Sequence, residues 1–152
     1  SEWFEQSGLT EEALEHALAE GDTDRAAKLV EAHRHEAMNG KRWQLLRHWL
    51  DLLPRVVVDG RAQLVLVEAW LVAVLFKLAE LFPVVERVRI RQKEDDPPLS
   101  EAERAVLRGE IAAIMSFVHF WLGQGRACLD NASQALEVTP PEHRGVRGIA
   151  LG

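Results

Sequence analysis

The chain has 152 residues, of which 47% are hydrophobic and 28% are charged, proportions typical of a globular domain. Its formal net charge of −6 argues against a nucleic-acid-binding face in this segment, because such a face needs a surplus of basic residues. The single cysteine, Cys128, excludes an internal disulfide and a cysteine zinc cage. With no basic-then-apolar leader, these features predict a cytoplasmic protein. The most apolar stretch, residues 64–76, is too short to span a bilayer, so we expect no membrane contact.

The first third of the chain has the pattern of successive short helices. Apolar residues recur at helical spacing through residues 12–53, and no stretch alternates as a strand would. Gly21 interrupts the first helix, and Asp22 or Thr23 can cap the second by accepting backbone N–H groups. The predicted helices cover residues 2–6, 11–19, 23–38 and 41–53, with Ser7-Gly8, Gly21-Asp22, Asn39-Gly40 and Pro54 as their breaks.

The rest of the chain predicts longer helices. Residues 61–81 are apolar on nearly every face, which is typical of a helix buried on several sides. We interpret the preceding run, Val56-Val57-Val58, as a connector between two helices. Phe82-Pro83 is expected to turn the chain into a helix over residues 84–92. An exposed loop at residues 93–98 follows. The remaining helices are predicted at 100–122, 126–138 and from 142 onward, the first of them opened by a capping box at Ser100 and Glu103.

These elements predict an all-α fold, a tetratricopeptide-like stack of about four antiparallel helical hairpins in a right-handed superhelix. A single domain would cover residues 1–152. It would contain opening hairpins at 1–53, longer hairpins at 61–92 and 100–138, and the start of another helix at 142–152. We expect this domain to be a fragment of a longer solenoid, with apolar ends at Trp3, Phe4, Ile149 and Leu151. Cys128 falls at a small-residue position of a tetratricopeptide-like hairpin, where a buried, inert thiol is expected.

A set of short matches in the first half of the chain resembles one known family. They occur in order within WFEQSGLTEEALEHALAEGDTDRAAKLVE, RWQLLRHWLDLLP and QLVLVEAWL. The matching pieces are Trp3-Phe4, Glu12-Ala13, His16-Ala17-Leu18, Gly21-Asp22, Ala26-Ala27, Trp49-Leu50, Leu53-Pro54 and Ala69-Trp70. Together they resemble the helical-repeat sensor domain of the large ATP-dependent LuxR-type transcriptional regulators.

The resemblance implies a regulatory role. A segment of this kind would receive a small-molecule inducer or a regulatory protein, and would contact neighbouring domains of its parent chain. It would signal to an ATPase upstream and to a DNA-binding helix-turn-helix downstream. The sequence itself contains no G-x-x-x-x-G-K-[ST] loop, so ATP is expected in an upstream domain and no cofactor in this chain. A stand-alone tetratricopeptide-like scaffold that binds a peptide is the alternative.

The chain offers no pattern typical of an enzyme. Glu101, Glu103 and Glu110 occur where acidic residues favour a helix start, and no partnering base accompanies them. His33 and His35 lie two positions apart, so on a helix they face different directions and lack the spacing of a metal site. We therefore expect no catalytic residues and no metal ligands here.

We expect an effector to bind to the concave surface of the stack. The first helix of each hairpin usually lines that surface in helical repeats. Trp70, His119 and Trp121 lie on such first helices and are the predicted groove residues, and the alternative is that they belong to the core.

Overall fold

The computed structural model describes residues 2–94 and 98–151, with side chains from residue 5 onward. Every regular element in those ranges is a helix, which confirms the predicted all-α stack of hairpins. The helices are α1 (Glu2–Ala19), α2 (Thr23–Asn39), α3 (Trp43–Leu52), α4 (Arg55–Asp59), α5 (Ala62–Val74), α6 (Leu78–Glu94), α7 (Glu101–Trp121), α8 (Gly125–Val138) and α9 (Arg144–Leu151). The side chains of Trp3 and Phe4, and the centre of the predicted loop at 93–98, lie outside the described residues. Among the helices described, none is long and apolar enough to cross a bilayer.

Two predicted helix boundaries are wrong. Helix α1 runs without a break through Ser7 and Gly8, because a glycine inside a helix costs only about 1 kcal/mol and packing outweighs it. The apolar segment after residue 61 is divided between α5 and α6 by a turn at residues 75–77, and not at Pro83. Pro83 lies inside α6, where Leu81, Val85 and Val88 are buried against the rest of the molecule. That burial offsets the backbone hydrogen bond that proline cannot make. The expected connector around Val56–Val58 is itself the short helix α4.

Four hairpin turns share one geometry. In each, the residue after the C-cap has a positive φ, and its N–H and the next one bond back to carbonyls of the last helical turn. This is the Schellman motif, in which glycine is favoured because it lacks a Cβ. The four residues are Gly21 (φ 76°), Lys41 (φ 55°), Phe76 (φ 58°) and Gly123 (φ 70°). Each turn leads directly into the next helix, so the four connections repeat one structural unit.

Helix α5 forms the centre of the stack. Nine of its thirteen residues are buried, as its apolar composition predicts. It packs against α6 on one side and contacts α2, α3 and α7 on others. Burial of this kind supplies most of the stability of such helices, because short helices are marginal in water on their own.

The first and last hairpins also meet. The Asn39 side chain at the end of α2 donates to the Glu142 carbonyl (2.9 Å) and accepts from the Gly145 N–H (2.8 Å). A Cβ on Gly145 would lie 2.9 Å from the Met38 carbonyl oxygen, so only glycine allows α9 to approach α2 this closely. Helix α2 is therefore in contact with the start of α9, more than a hundred residues away, whereas repeats of a simple solenoid touch only their neighbours.

Candidate functional site

Three cavities surround the turn between α5 and α6. The first has a volume of about 500 Å³ and lies between α3 and the α5–α6 hairpin. The second, of about 740 Å³, lies between the α2–α3 turn and residues 74–75. The third, of about 180 Å³, lies between α5, α7 and α9. Val74 lines all three cavities, so this turn is the point at which they converge.

The first cavity, which we name the α3–α6 cleft, combines an aromatic ring with polar and charged groups. Trp43 and Gln44 line it from α3, and Glu68 and Arg87 line it from α5 and α6. Glu68 is mostly buried and forms ion pairs with Arg55 and Arg87, and these hold its carboxylate in place. Clefts with an apolar wall and a few positioned polar groups are the usual shape of a ligand site.

The third cavity, which we name the α5–α9 pocket, is lined by apolar side chains. Its walls come from α5, from the α5–α6 turn, from α7 and from α9: Trp70, Ala73, Phe76, Ile114, Phe117 and Ile149 are among them. The Phe76 ring lies 5.5 Å from that of Phe117 and 5.3 Å from that of Trp121. Phe76 and Trp121 are more than half exposed, so these rings form an apolar rim at the surface. Exposed apolar groups in a cluster mark interaction sites more often than single ones do.

A buried network of charges lies beneath the α5–α9 pocket. Glu110 of α7 is fully buried and accepts two hydrogen bonds from the Arg34 guanidinium, at 2.6 and 2.7 Å. It also accepts from the Trp70 indole N–H at 3.0 Å and lies 3.1 Å from the His35 Nε2. Burial alone would raise the pKa of the Glu110 carboxyl, but the charge of Arg34 and the hydrogen bonds from His35 and Arg34 hold that pKa well below its usual range.

A second histidine stacks on this network. The His143 ring at the start of α9 lies 3.7 Å from the His35 ring, and the two planes are nearly parallel. Burial lowers the pKa of His143, the charges of His35 and Arg34 lower it further, and Glu110 acts in the opposite direction. The His143 Nδ1 atom is buried without a hydrogen-bond partner. The network, which we name the Glu110 cluster, therefore joins α2, α5, α7 and α9 and favours a neutral His143.

The three predicted groove residues lie in different environments. Trp70 is only 1% exposed, and the small exposed part of the residue contributes to the wall of the α5–α9 pocket. Trp121 is 55% exposed and lies in the aromatic rim of that pocket. His119 is partly exposed, and its Nδ1 lies 2.5 Å from the Gln124 side-chain oxygen beside the α7–α8 turn. The structure thus places Trp70 and Trp121 at the wall and rim of one pocket and leaves His119 apart. Whether any of them contacts an effector stays a prediction.

Two other expectations from the sequence are wrong. Glu110 is not a helix-start acid but a buried ion-pair partner, since it lies mid-way along α7. Cys128 is partly exposed, because the α8 face that carries it is only partly covered. Among the residues described, no three acidic, histidine or cysteine side chains could hold a metal ion. The sequence reasoning also missed Arg34, whose position on the apolar face of α2 was an available signal.

Comparison with known proteins extends over nearly the whole chain. Over 143 residues, 94% of its length, the sequence is 27% identical to the HTH-type transcriptional regulator MalT of Yersinia pestis, and the match covers 15% of that protein. Over 151 residues, 97% of its length, it is 28% identical to the serine/threonine-protein kinase PknK of Mycobacterium tuberculosis, covering 13% of that protein. No family model matches, and no solved structure matches with significance. The chain is therefore similar to one segment of each of these much longer proteins, a transcriptional regulator and a protein kinase.

Proposed function

We propose that this chain is the effector- or protein-sensing helical-repeat segment of a LuxR-type ATP-dependent transcriptional regulator. It would act in the cytoplasm and signal to an ATPase and to a DNA-binding domain that lie elsewhere in the parent protein. The partners of the segment would be a small-molecule inducer or a regulatory protein, together with those neighbouring domains. ATP would bind to the ATPase and not to this segment.

The observation that carries the proposal is the similarity to two proteins whose names indicate different output activities, by which we mean DNA binding and phosphoryl transfer. One is named a transcriptional regulator of the helix-turn-helix type, and the other a serine/threonine-protein kinase. A segment that resembles parts of both is not expected to contain either output, since DNA binding and phosphoryl transfer need different chemistry. The sequence also lacks a G-x-x-x-x-G-K-[ST] loop. A shared segment without an output activity fits the receiving and relaying part of a regulator.

The geometry suggests how such a segment would work. An effector shifts an equilibrium only if it binds one arrangement of the protein more tightly than the other. The convergence of three cavities at the α5–α6 turn gives an effector access to α3, α5, α6, α7 and α9. A ligand that contacts several helices at once would favour one packing of the hairpins. The neighbouring ATPase would then respond to that packing.

The proposal is tested on the gene and on the parent protein. We expect the reading frame to encode a phosphate-binding loop upstream of this segment and a helix-turn-helix downstream. We also expect purified parent protein to activate transcription of a target promoter only with ATP and an effector. A variant with Trp43 changed to Ala should need more effector for the same output. The matched control is Leu129→Ala on α8, where an exposed side chain lies outside all three cavities. A reading frame without either neighbour would refute the proposal.

The exposed apolar residues at two neighbouring turns favour a second candidate, a peptide-binding scaffold. Leu75 and Phe76 in one turn, and Phe120 to Leu122 at the other, are each at least half exposed. Such clusters are typical of protein interaction sites. If the reading frame encodes no ATPase, we expect a tagged form of the chain to retain a protein partner in a pull-down. The same experiment with Trp121→Ala should then lose that partner.

A further inference from the structure

The α5–α9 pocket has the size and lining of a site for an aromatic ring. Its volume is about 180 Å³, and its walls are the apolar side chains already described from α5, α7, α9 and the α5–α6 turn. Fully apolar protein cavities of about 150 Å³ stay dry and bind benzene. The α5–α9 pocket differs from those cavities in being open to solvent on one side, but its apolar lining offers a water molecule inside few polar partners. The pocket therefore favours an apolar occupant over water.

Phe76 supplies an independent indication at the mouth of the pocket. It has a φ of 58°, in the region that bulky L-residues avoid, and it takes the turn position that Gly21, Lys41 and Gly123 take elsewhere. Nothing in the turn requires an aromatic side chain there, since glycine makes the same turn without strain. Strained backbone of this kind is concentrated at ligand sites, where it positions a side chain for function. Here it places a half-exposed ring against Phe117 and Trp121 at the rim of the pocket.

The wall of the pocket is rigidly held. Trp70 is buried, and its indole N–H donates to Glu110, whose carboxylate is fixed in turn by Arg34. The opposite wall includes Ile149 of α9, a helix whose first turn is held by Asn39 of α2. A ligand in the pocket would thus touch helices that belong to three different hairpins. Its binding would stabilise the contact of α9 with α5 and α7.

We propose that the α5–α9 pocket binds a small molecule through an aromatic ring, which inserts between Trp70, Phe117 and Ile149 under the rim formed by Phe76. The buried part of the ligand would contain on the order of six to ten non-hydrogen atoms. Any polar groups of the ligand would remain at the mouth, because the pocket wall offers them no partner. The regulatory meaning of this site rests on the proposed function, whereas the binding itself does not.

The test uses the 152-residue chain with toluene as the probe and acetate as the charged control. We expect toluene to shift the methyl NMR signals of Ile114 and Ile149 and to slow amide exchange in α9. Acetate should do neither, because it has no ring to insert and its carboxylate cannot be desolvated in an apolar pocket. Ala73→Leu fills the pocket and should weaken toluene binding by about tenfold or more. Leu129→Ala changes an exposed apolar residue of α8 and should leave the affinity unchanged.

A second variant keeps the test informative if Ala73→Leu does not fold. Phe76→Gly suits the turn geometry, so we expect a folded protein with weaker toluene binding. The proposal is overturned if toluene leaves both isoleucine signals unchanged, or if Ala73→Leu and Phe76→Gly bind it as tightly as the natural sequence. A dimer that persists when toluene is added, with both isoleucine signals unchanged, would also overturn it, by showing that a second copy fills the pocket. None of these results bears on the neighbouring ATPase, so failure here is distinguishable from failure of the proposed function.

Discussion

Replacing Glu110 with glutamine tests the importance of the Glu110 cluster for stability. Glu110 is fully buried, and Arg34 is only 2% exposed. In the natural protein the Arg34 guanidinium donates to both oxygens of the Glu110 carboxylate. In Glu110→Gln only one oxygen remains to accept a hydrogen bond, and the side-chain N–H₂ group faces another donor. The Arg34 Nε is already without a partner. Breaking a buried ion pair from one side typically destabilises a protein by about 3–5 kcal/mol. We expect a loss of that size from the free energy of unfolding.

Urea unfolding at pH 7, followed by far-UV circular dichroism, measures this loss. The matched control is Asp51→Asn, which breaks an exposed ion pair with Arg47. Exposed pairs contribute about 0–1 kcal/mol, so the control should change stability little. The double variant Arg34→Met with Glu110→Gln removes the buried charge and should be more stable than Glu110→Gln alone. If Glu110→Gln and the control lose equal amounts, the buried pair does not stabilise the stack and the reasoning fails.

Three further predictions concern α9 and the aromatic rim. Gly145→Ala should destabilise the protein because the new Cβ would meet the Met38 carbonyl, whereas Gly148→Ala on the same helix has open space and should be neutral or stabilising by up to about 1 kcal/mol in urea unfolding. Equal effects of the two changes would refute the close contact of α9 with α2. The pKa of His143 is lowered in the folded protein, so the unfolded chain takes up its proton first, and stability should fall as the pH drops below about 6.5. His143→Phe should flatten that part of the pH profile, and an unchanged slope would count against the assignment. Trp121→Ala should leave the helical signal intact while weakening toluene binding, and loss of the helical signal would show that Trp121 belongs to the core.

The fold was predicted from patterns within single helices. Its errors lie where contacts between helices determine the bounds of an element. Apolar spacing and capping residues were enough for α2, α3, α7 and α8. The turn at residues 75–77 was missed because Phe76 occupies the position where the pattern calls for glycine. Pro83 was expected to end a helix, but burial of the residues around it keeps α6 intact. The sequence around Pro83 does not show that this burial outweighs the loss of one backbone hydrogen bond.

The candidate site was harder to predict from the sequence, because it is formed by contacts between residues that are far apart in the chain. Arg34 and Glu110 are 76 positions apart, and nothing in either neighbourhood indicates the other. Trp70 was predicted to line a groove, and its buried position beside the α5–α9 pocket depends on a hydrogen bond to α7 that a pattern of spacing does not contain. Trp121 lies at the pocket rim because α7 ends beside the α5–α6 turn. Such placements come from the packing of hairpins, and the sequence indicates only that hairpins pack.

The Glu110 cluster would make ligand binding in the proposed pocket and the packing of the hairpins interdependent. Trp70 lines the α5–α9 pocket, and the carboxylate that holds its indole also pairs with Arg34 and lies against His35. His35 in turn stacks on His143, which precedes the helix that forms the opposite wall of the pocket. A ligand that moved Trp70 would therefore disturb the ion pair between α7 and α2, and displacement of α9 would open the pocket. Because a buried ion pair tolerates little displacement, we expect the hairpins to change packing in a discrete step and not gradually. A discrete change of this kind is what the proposed sensing role would require.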